Sequence, residues 1–253
     1  MALRRLGLVA CVFCLGSLAV LCTVARSEEK AAEPKKAEEA WYDVMRGNSV
    51  IARSHDRSEQ IEYKGQPALH VIEEITLADE MGDKSFNQTV CSETWSTLDG
   101  RLLKLVYTEN MKTGKSTVTA EIAGAKLTAV KTTDGKTETK EIDIPEGTIV
   151  YGSTGEWVIR LMGFNKGEKR EFTVFSPSTM LLESESVTTV GVRKYMYGGQ
   201  EIDAYVYQEV DSDNPGVTVE LTMSQDFKLL QASGAGVKIV RIVKPAAAEP
   251  ATK

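Results

Sequence analysis

The residues whose side chains could do chemistry are two histidines and a run of acids. His55 lies in the sequence Arg-Ser-His-Asp-Arg, and His70 lies on the polar side of an alternating segment. Neither histidine has the spacing of a metal-ligand motif. The acids between residues 73 and 83 could form an acid–base pair or a calcium site, but the spacing of an EF-hand loop is missing. We therefore expect surface histidines, acids at a solvated strand end, and neither a metal nor a cofactor.

Nucleophilic catalysis has no recognisable motif in this chain. Cys91 is the one cysteine beyond residue 25, and no activating base lies beside it, which predicts a small apolar strand residue. The sequence contains no Gly-x-Ser-x-Gly elbow, no Walker loop and no His-Glu-x-x-His. Since catalysis usually needs a nucleophile with a positioned base, or a metal, we predict that the protein is not an enzyme.

Aromatic and apolar side chains supply the candidate binding residues. Two tyrosines at positions 205 and 207 share one face of a predicted strand, where their amphipathic rings could line a ligand groove. Ordinary sheet packing with hydroxyls at the rim is the alternative. The predicted ligand-lining residues are Trp157, Leu161, Met162 and Phe164, with Tyr205 and Tyr207 at the mouth.

One segment, residues 153–163, has the period of a helix. It opens with Ser-Thr-Gly-Glu, which matches a capping box, and Trp157, Leu161 and Phe164 recur at helical spacing. Gly163 or Gly167 could end the helix. The segment is too apolar to stand in water, so we expect it to pack against a sheet.

The remaining folded segment alternates between apolar and polar residues. Examples are residues 69–77 and 217–223, and turn dipeptides such as Asp99-Gly100 and Gly198-Gly199 separate these runs. Alternation of this kind is typical of sheets with one packed face and one wet face. The predicted fold class is mainly β: a curved antiparallel sheet, or incomplete β-barrel, with one principal helix packed on it.

Two stretches of the chain resemble each other. Residues 93–103 and residues 220–230 each contain a strand, an Asp-centred turn, a basic residue and Leu-Leu, and they lie on either side of the predicted helix. A duplicated meander would explain the similarity. Because hairpins converge on such patterns, chance remains the other explanation.

The two ends of the chain differ in composition from the middle. Residues 1–25 have the basic, apolar and small-residue order of a secretory signal peptide, with an uncleaved membrane anchor as the alternative. Residues 26–40 are predicted to be a disordered linker and residues 244–253 a disordered tail. Residues 41–243 are predicted to form one antiparallel β domain, in a periplasmic or secreted protein.

The charge of the chain limits its partners. The formal net charge is −6, the sequence pI is about 5.2, and no basic stripe is present. This composition argues against binding of nucleic acid. The partners we expect are a lipid-like ligand or an envelope protein, with membrane contact only through the N-terminal segment if that segment is uncleaved.

The sequence resembles a class of bacterial envelope domains. The residues that carry the resemblance are Trp-Tyr-Asp-Val at 41–44 after an export signal, the turn at 97–102, the long meander and the mid-chain helix. They look like LolA/LolB-like half-barrel domains and like periplasmic DUF3108-type proteins. The resemblance implies a curved sheet around a helix with acyl chains held inside, and it offers no catalytic residues.

Three functional hypotheses follow. The leading one is non-catalytic, extracytoplasmic binding of a hydrophobic or amphipathic ligand against the concave face of the sheet. The alternative is a structural or interaction domain of the cell envelope with a filled core. The third is a hydrolase that uses unrecognised carboxylates. A large apolar cavity would favour the first hypothesis, a solid core with an exposed apolar patch the second, and acids clustered in a cleft the third.

Overall fold

A computed structural model describes residues 37–77, 88–152, 156–211 and 216–243. These residues form one 15-stranded sheet and one short helix, α1 (Glu156–Met162). In chain order the strands are β1 (Glu38–Arg46), β2 (Ser49–Tyr63), β3 (Gln66–Leu77), β4 (Thr89–Thr97), β5 (Leu102–Met111), β6 (Gly114–Ala123), β7 (Lys126–Thr133), β8 (Lys136–Asp143), β9 (Val150–Tyr151), β10 (Lys169–Ser176), β11 (Leu181–Tyr197), β12 (Gln200–Asp211), β13 (Thr218–Met223), β14 (Leu229–Gly234) and β15 (Val237–Ile242).

The strands lie in the sheet nearly in chain order. Strands β1 to β8 follow one another on one side, β9 to β15 follow one another on the other side, and β1 pairs with β15 between them. Neighbouring strands are antiparallel except for β9 and β10. A single bridge between Arg101 and Tyr151 joins β9 to the β4–β5 turn, and the sheet is not closed. The predicted incomplete antiparallel barrel with one helix is confirmed.

One side of the sheet, called here the inner face, surrounds a shared hydrophobic core. Buried side chains from β1 to β7, from β9 to β15 and from α1 belong to one cluster. Strands far apart in a sheet can share a core only if the sheet curves around it. The largest fully buried side chains include Tyr42, Tyr207, Leu127 and Ile159. Burial of a side chain of this size stabilises a fold by about 1.5–3 kcal/mol.

Helix α1 packs with a different face from the one its spacing predicts. Val158, Ile159 and Met162 enter the core, whereas Leu161 is 56% exposed. The sequence predicted that Gly163 or Gly167 ends the helix, and Gly163 does. This residue adopts a φ of 68°, and its amide donates to the Ile159 carbonyl. The predicted capping box falls on residues 153–155 and on the side chain of Glu156, which lie outside the described part.

Several predictions concern residues that lie outside the described part of the chain. These are the signal peptide at 1–25, the linker at 26–36 and the tail at 244–253. Strand β1 begins at Glu38, three residues before the predicted boundary at 41, and residues 38–40 pair with β2. Among the described residues, no helix is long and apolar enough to span a membrane.

The two similar stretches of sequence fold into the same turn. In the β4–β5 turn the Thr97 amide donates to the Arg101 carbonyl at 2.9 Å, and the Arg101 amide donates to the Thr97 hydroxyl at 3.0 Å. In the β13–β14 turn the Ser224 amide donates to the Lys228 carbonyl at 2.8 Å, and the Lys228 amide donates to the Ser224 hydroxyl at 2.9 Å. The strand before each turn also carries a register shift at the same aligned position, between residues 95 and 96 and between residues 222 and 223.

A second pair of turns extends this correspondence. The β2–β3 hairpin closes through Tyr-Lys-Gly-Gln at 63–66, and the β11–β12 hairpin closes through Tyr-Gly-Gly-Gln at 197–200. The two central residues of both turns have positive φ, as type I′ turns require. We call β1–β6 the N-terminal meander and β10–β15 the C-terminal meander. Shared turns, a shared register shift and the same strand order favour duplication over chance.

Candidate functional site

The segment 157–164, which contains most of α1, contacts equivalent turns of the two meanders. Trp157 lies on Gly100 in the β4–β5 turn, where a Cβ would overlap the indole, and it also packs against Leu69. At the other end of the segment, Phe164 stacks on Phe227 in the β13–β14 turn, with ring centroids 4.7 Å apart. Positions 100 and 227 are equivalent in the two aligned turns. The helix is therefore held at both ends by aromatic contacts with matching turns.

The structure brings two of the predicted ligand-lining residues together. Phe164 stacks on Tyr205 with ring centroids 3.3 Å apart, and Phe227 completes a three-ring stack. Tyr205 is half-buried. We call Phe164, Tyr205 and Phe227 the aromatic stack. The sequence prediction missed Phe227, although its position in the Asp-centred turn of the repeated stretch marks it.

The other predicted ligand-lining residues lie elsewhere. Tyr207 is fully buried and its hydroxyl donates to the Gly163 carbonyl at 2.9 Å, so its predicted place at the mouth is corrected. Burial raises the pKa of Tyr207 far above its ordinary value. Met162 is also buried in the core, Leu161 faces outward, and Trp157 lies at the opposite turn. Tyr207 and Met162 therefore fix the helix on the sheet.

An exposed apolar surface adjoins the aromatic stack. Strand β13 pairs with β12 only between residues 205 and 210, so the outer part of the β11–β12 hairpin extends past its neighbour. We call residues 191–204 the overhanging hairpin. Val192 lies opposite Tyr205 and is 57% exposed, and Met196, on the same face, is 63% exposed. Lys194 lies between these two residues on the same face and pairs at 2.8 Å with Asp203, which is opposite it. The inner face thus continues outward as two exposed apolar side chains, Val192 and Met196, with one ion pair between them, and we call this surface the apolar strip.

Carboxylic acids also lie on the inner face of the C-terminal meander. Glu185 lies opposite Asp211, and Glu209 lies opposite Val187, one step further along the same face. Glu209 is 3% exposed. Burial raises the pKa of Glu185 to about 10, and the charge and hydrogen bond of Glu209 add to the effect. The Glu185 carboxyl is therefore protonated at neutral pH and shares its proton with Glu209.

The N-terminal meander has its own buried acids. Asp56 and Glu73 lie directly opposite each other, and the Ser54 hydroxyl donates to Asp56 at 2.9 Å. The predicted solvated position of Glu73 is wrong, since it shares the inner face with Val71 and Ile75. The alternation itself was the signal, because Glu73 falls on the apolar side of its strand. Residues 78–87, which hold the other predicted acids of this run, are outside the described ranges.

Both histidines lie on the outer face of the sheet, each stacked on a tryptophan. The rings of His55 and Trp41 are 3.8 Å apart, and those of His70 and Trp95 are 4.5 Å apart. His70 Nδ1 also lies 3.6 Å from a carboxylate oxygen of Glu59. Each tryptophan covers one face of an imidazole ring, whereas the sequence predicted that both histidines would be solvated. Within the described ranges, no three His, Cys, Asp or Glu side chains are grouped so as to hold a metal ion.

Cys91 lies in β4 and is half-buried. Burial raises the pKa of its thiol to about 11, and the carboxylates of Glu93, Glu74 and Glu73 act in the same direction. A thiol with this pKa is almost entirely protonated at neutral pH and is a poor nucleophile.

These features define a β-barrel-like protein whose sheet is open. Among solved structures, the chain is similar to a beta-barrel-like protein of the domain of unknown function DUF1849 from Brucella abortus, with a TM-score of 0.50 and 10% identity over 80% of this chain and 93% of that one. A DUF1089 family protein from Pseudomonas aeruginosa aligns over 84% of this chain and 94% of its own, with a TM-score of 0.33 and 13% identity. The first similarity shows a shared barrel-like fold and nothing about chemistry.

The sequence comparisons add no family. No protein-family model matches the chain, and no curated protein matches it. The barrel-like fold agrees with what the resemblance to envelope half-barrels implies. The two solved neighbours are described as DUF1849 and DUF1089 proteins, so they do not identify the chain as LolA/LolB-like or DUF3108-type.

Proposed function

We propose that this protein is a non-catalytic binding protein for an amphipathic, lipid-like ligand and that it works outside the cytoplasm. The observation that carries the proposal is the exposed apolar strip beside the aromatic stack. Val192 and Met196 extend the inner face of the sheet beyond its neighbours and remain largely exposed. Exposed apolar side chains with polar groups around them are suited to an amphipathic ligand, which has an apolar and a polar part. The export-type order of residues 1–25 supports the extracytoplasmic location.

Burial of apolar surface would drive binding. A ligand chain that lies along the strip removes apolar area from water at about 25 cal/mol per Å². Covering about 200 Å² would therefore contribute about 5 kcal/mol before the cost of association. The flat rings of the stack suit a chain or an aromatic group, because such rings offer a large contact area at a low entropy cost.

A structural or interaction domain with a filled core is the second candidate. The burial of Tyr207 beneath the end of α1, and of Met162 on the inner side of that helix, favours it, since both side chains fill space where a ligand would otherwise lie. In this case the apolar strip would contact another envelope protein. The two candidates differ in whether the isolated protein binds a small apolar probe.

A hydrolase is the least supported function, although acids do cluster on the inner face. A general base must be ionised at the working pH, and its pKa is best near that pH. The pKa of Glu185, near 10, keeps this carboxyl neutral. A protonated carboxyl in this setting donates a hydrogen bond and does not abstract a proton.

The test is binding of NBD-stearate, a fluorescent fatty acid, to purified protein. We expect saturable binding by the parent protein. Val192→Asn should weaken it about fivefold to tenfold, since a buried valine contributes about 1.5 kcal/mol. Val50→Asn is the matched control, because Val50 is 39% exposed and lies in β2, and this change should leave binding unaltered. Failure of the parent protein to bind the probe would contradict the proposal and favour the filled-core domain.

A further inference from the structure

The inner face of the C-terminal meander holds acids at different depths. Glu209 is almost fully buried, whereas Glu183, Glu185 and Asp211 are only partly buried and lie toward the end of the β11–β12 ladder. Alternate residues of a strand face the same side, so all four carboxyl groups share one face. The acids thus lie along one face from partly buried carboxyl groups to one that is buried, and we call this series the acid path.

The groups that face these acids come from the two neighbouring strands, β10 and β13. From β10, Phe172 lies opposite Glu185 and Val174 lies opposite Glu183. Arg170 lies opposite Val187, but its guanidinium bonds to Glu168 at 3.0 Å. Strand β13 places Val219 opposite Glu209. The walls of the acid path are therefore mainly apolar, which strengthens any ionic contact made within it.

A second observation points to a ligand here. The Thr189 side chain is 1% exposed, and its hydroxyl has no hydrogen-bond partner among the described residues. Thr189 lies opposite Tyr207 and diagonal to Glu209 on the same face. A buried hydroxyl without a partner costs about 1–3 kcal/mol, so such groups usually serve a partner that the protein itself does not supply.

We propose that Glu185, Glu209 and Asp211, together with the Thr189 hydroxyl, form a binding site for an organic cation that carries a primary ammonium or guanidinium group. Such cations present several directional N–H donors, and carboxylate and hydroxyl oxygens accept them. A metal ion is a poor fit, since the described acids do not converge on one point. This site is separate from the apolar strip and does not depend on the proposed lipid-like ligand.

Binding would exchange one proton for one cation. In the empty site, Glu185 carries the proton that it shares with Glu209. When the cation enters, its N–H groups donate to the carboxylates, and the proton leaves to solvent. The cation therefore binds more tightly as the pH rises, by up to tenfold per pH unit while one proton is released.

The test is isothermal titration of the full chain with agmatine, which carries both an ammonium and a guanidinium group. At pH 7.5, titrations in phosphate and in Tris should differ in heat by an amount that corresponds to release of up to one proton. Glu209→Gln should weaken binding at least tenfold, and Thr189→Val should weaken it about threefold. Both changes preserve side-chain shape, and circular dichroism would verify the fold.

Two controls separate this site from general attraction to an acidic protein. Glu93 and Glu220 are aligned in the two similar stretches and pair with Ile72 and Gln208, so the next residues, Glu73 and Glu209, are equivalent. Glu73→Gln should leave agmatine binding within twofold of the parent value. Tetramethylammonium, a cation without N–H donors, should bind at least tenfold more weakly than agmatine. No agmatine binding by the parent protein, equal binding of both cations, or an equal loss in Glu73→Gln would each overturn the proposal.

Discussion

The N-terminal and C-terminal meanders share a backbone plan and differ in what they place on it. Both have a type I′ hairpin turn between Tyr and Gln, a hydroxyl-capped Asp turn, and a buried glutamate at the equivalent positions 73 and 209. The equivalent positions 100 and 227 hold a glycine and a phenylalanine. This difference determines which aromatic side chain of the segment 157–164 packs on each turn.

The difference matters because the same segment serves both turns. At Gly100 the missing side chain leaves room for the Trp157 indole to lie directly on the backbone. At Phe227 the ring itself is the platform, and Phe164 stacks on it. At the N-terminal turn the indole lies on the backbone with no side chain between them, whereas at the C-terminal turn the half-buried stack has the exposed Val192 beside it. Equivalent scaffolds therefore give one closed end and one accessible end.

The largest expected effect comes from filling the closed end. We expect Gly100→Ala to destabilise the protein by about 3 kcal/mol, because the residue has a φ of 89° and the new methyl group would overlap Trp157. Gly124→Ala is the matched control, since Gly124 has a φ of 62° with open space around it, and it should cost about 1 kcal/mol. Urea denaturation measures both.

A double variant isolates the contact. Trp157→Ala removes the ring that the new methyl group meets, so adding Gly100→Ala to it should cost no more than the Gly124 control. If Gly100→Ala costs the same with and without Trp157, the indole does not lie on this turn and the comparison of the two meanders fails.

Much of the fold follows from the sequence, because strand alternation and turn chemistry are local. The hairpin at Gly198-Gly199 and the helix end at Gly163 need only the positive φ that glycine allows. Glu73 shows the limit of charge as a guide: alternation places it on the inner face, and its charge led to the wrong prediction of a solvated strand end. When the two conflict, the alternating position of a residue in its strand predicts the face of its side chain better than the type of side chain does.

The candidate site was harder to predict, because its residues meet through pairings between distant strands. The aromatic stack joins residues 164, 205 and 227, which belong to three separate elements. Helix spacing did not reveal which face of α1 is inside, because apolar residues surround it nearly completely. The sequence also did not reveal that Tyr207 is a core residue, because its hydroxyl meets the Gly163 carbonyl, 44 residues away in the chain.

The next largest effect concerns the acids of the C-terminal meander. The folded-state pKa of Glu185, about 10, is above the usual unfolded value, so the folded state binds more protons between these two pKa values. Stability contributed by the neutral carboxyl is therefore lost as the pH rises from about 4.5 toward 10. Glu185→Gln should remove this dependence and stabilise the protein by about 1–2 kcal/mol at pH 8.

Denaturation at several pH values measures this effect. Glu74→Gln is the control, because Glu74 is exposed on the outer face of β3 and its change should leave the pH profile as it was. A parent protein whose stability stays constant between pH 6 and 9, or a Glu185→Gln variant less stable than the parent at pH 8, would contradict the shared-proton arrangement.

The smallest effect tests whether the two meanders are equivalent. Thr97 and Ser224 use their hydroxyls in the same way: each accepts from the backbone amide four residues later. Thr97→Ala and Ser224→Ala should therefore each cost about 1 kcal/mol, the net value of one such hydrogen bond. Thermal unfolding of both variants measures these losses. Thr139→Ala in the exposed strand β8 is the control and should change stability by no more than about 0.5 kcal/mol. If one variant loses about 1 kcal/mol and the other stays at the control value, the two turns match in shape but only one hydroxyl stabilises the protein. The duplicated scaffold would then not account for the stability of both turns.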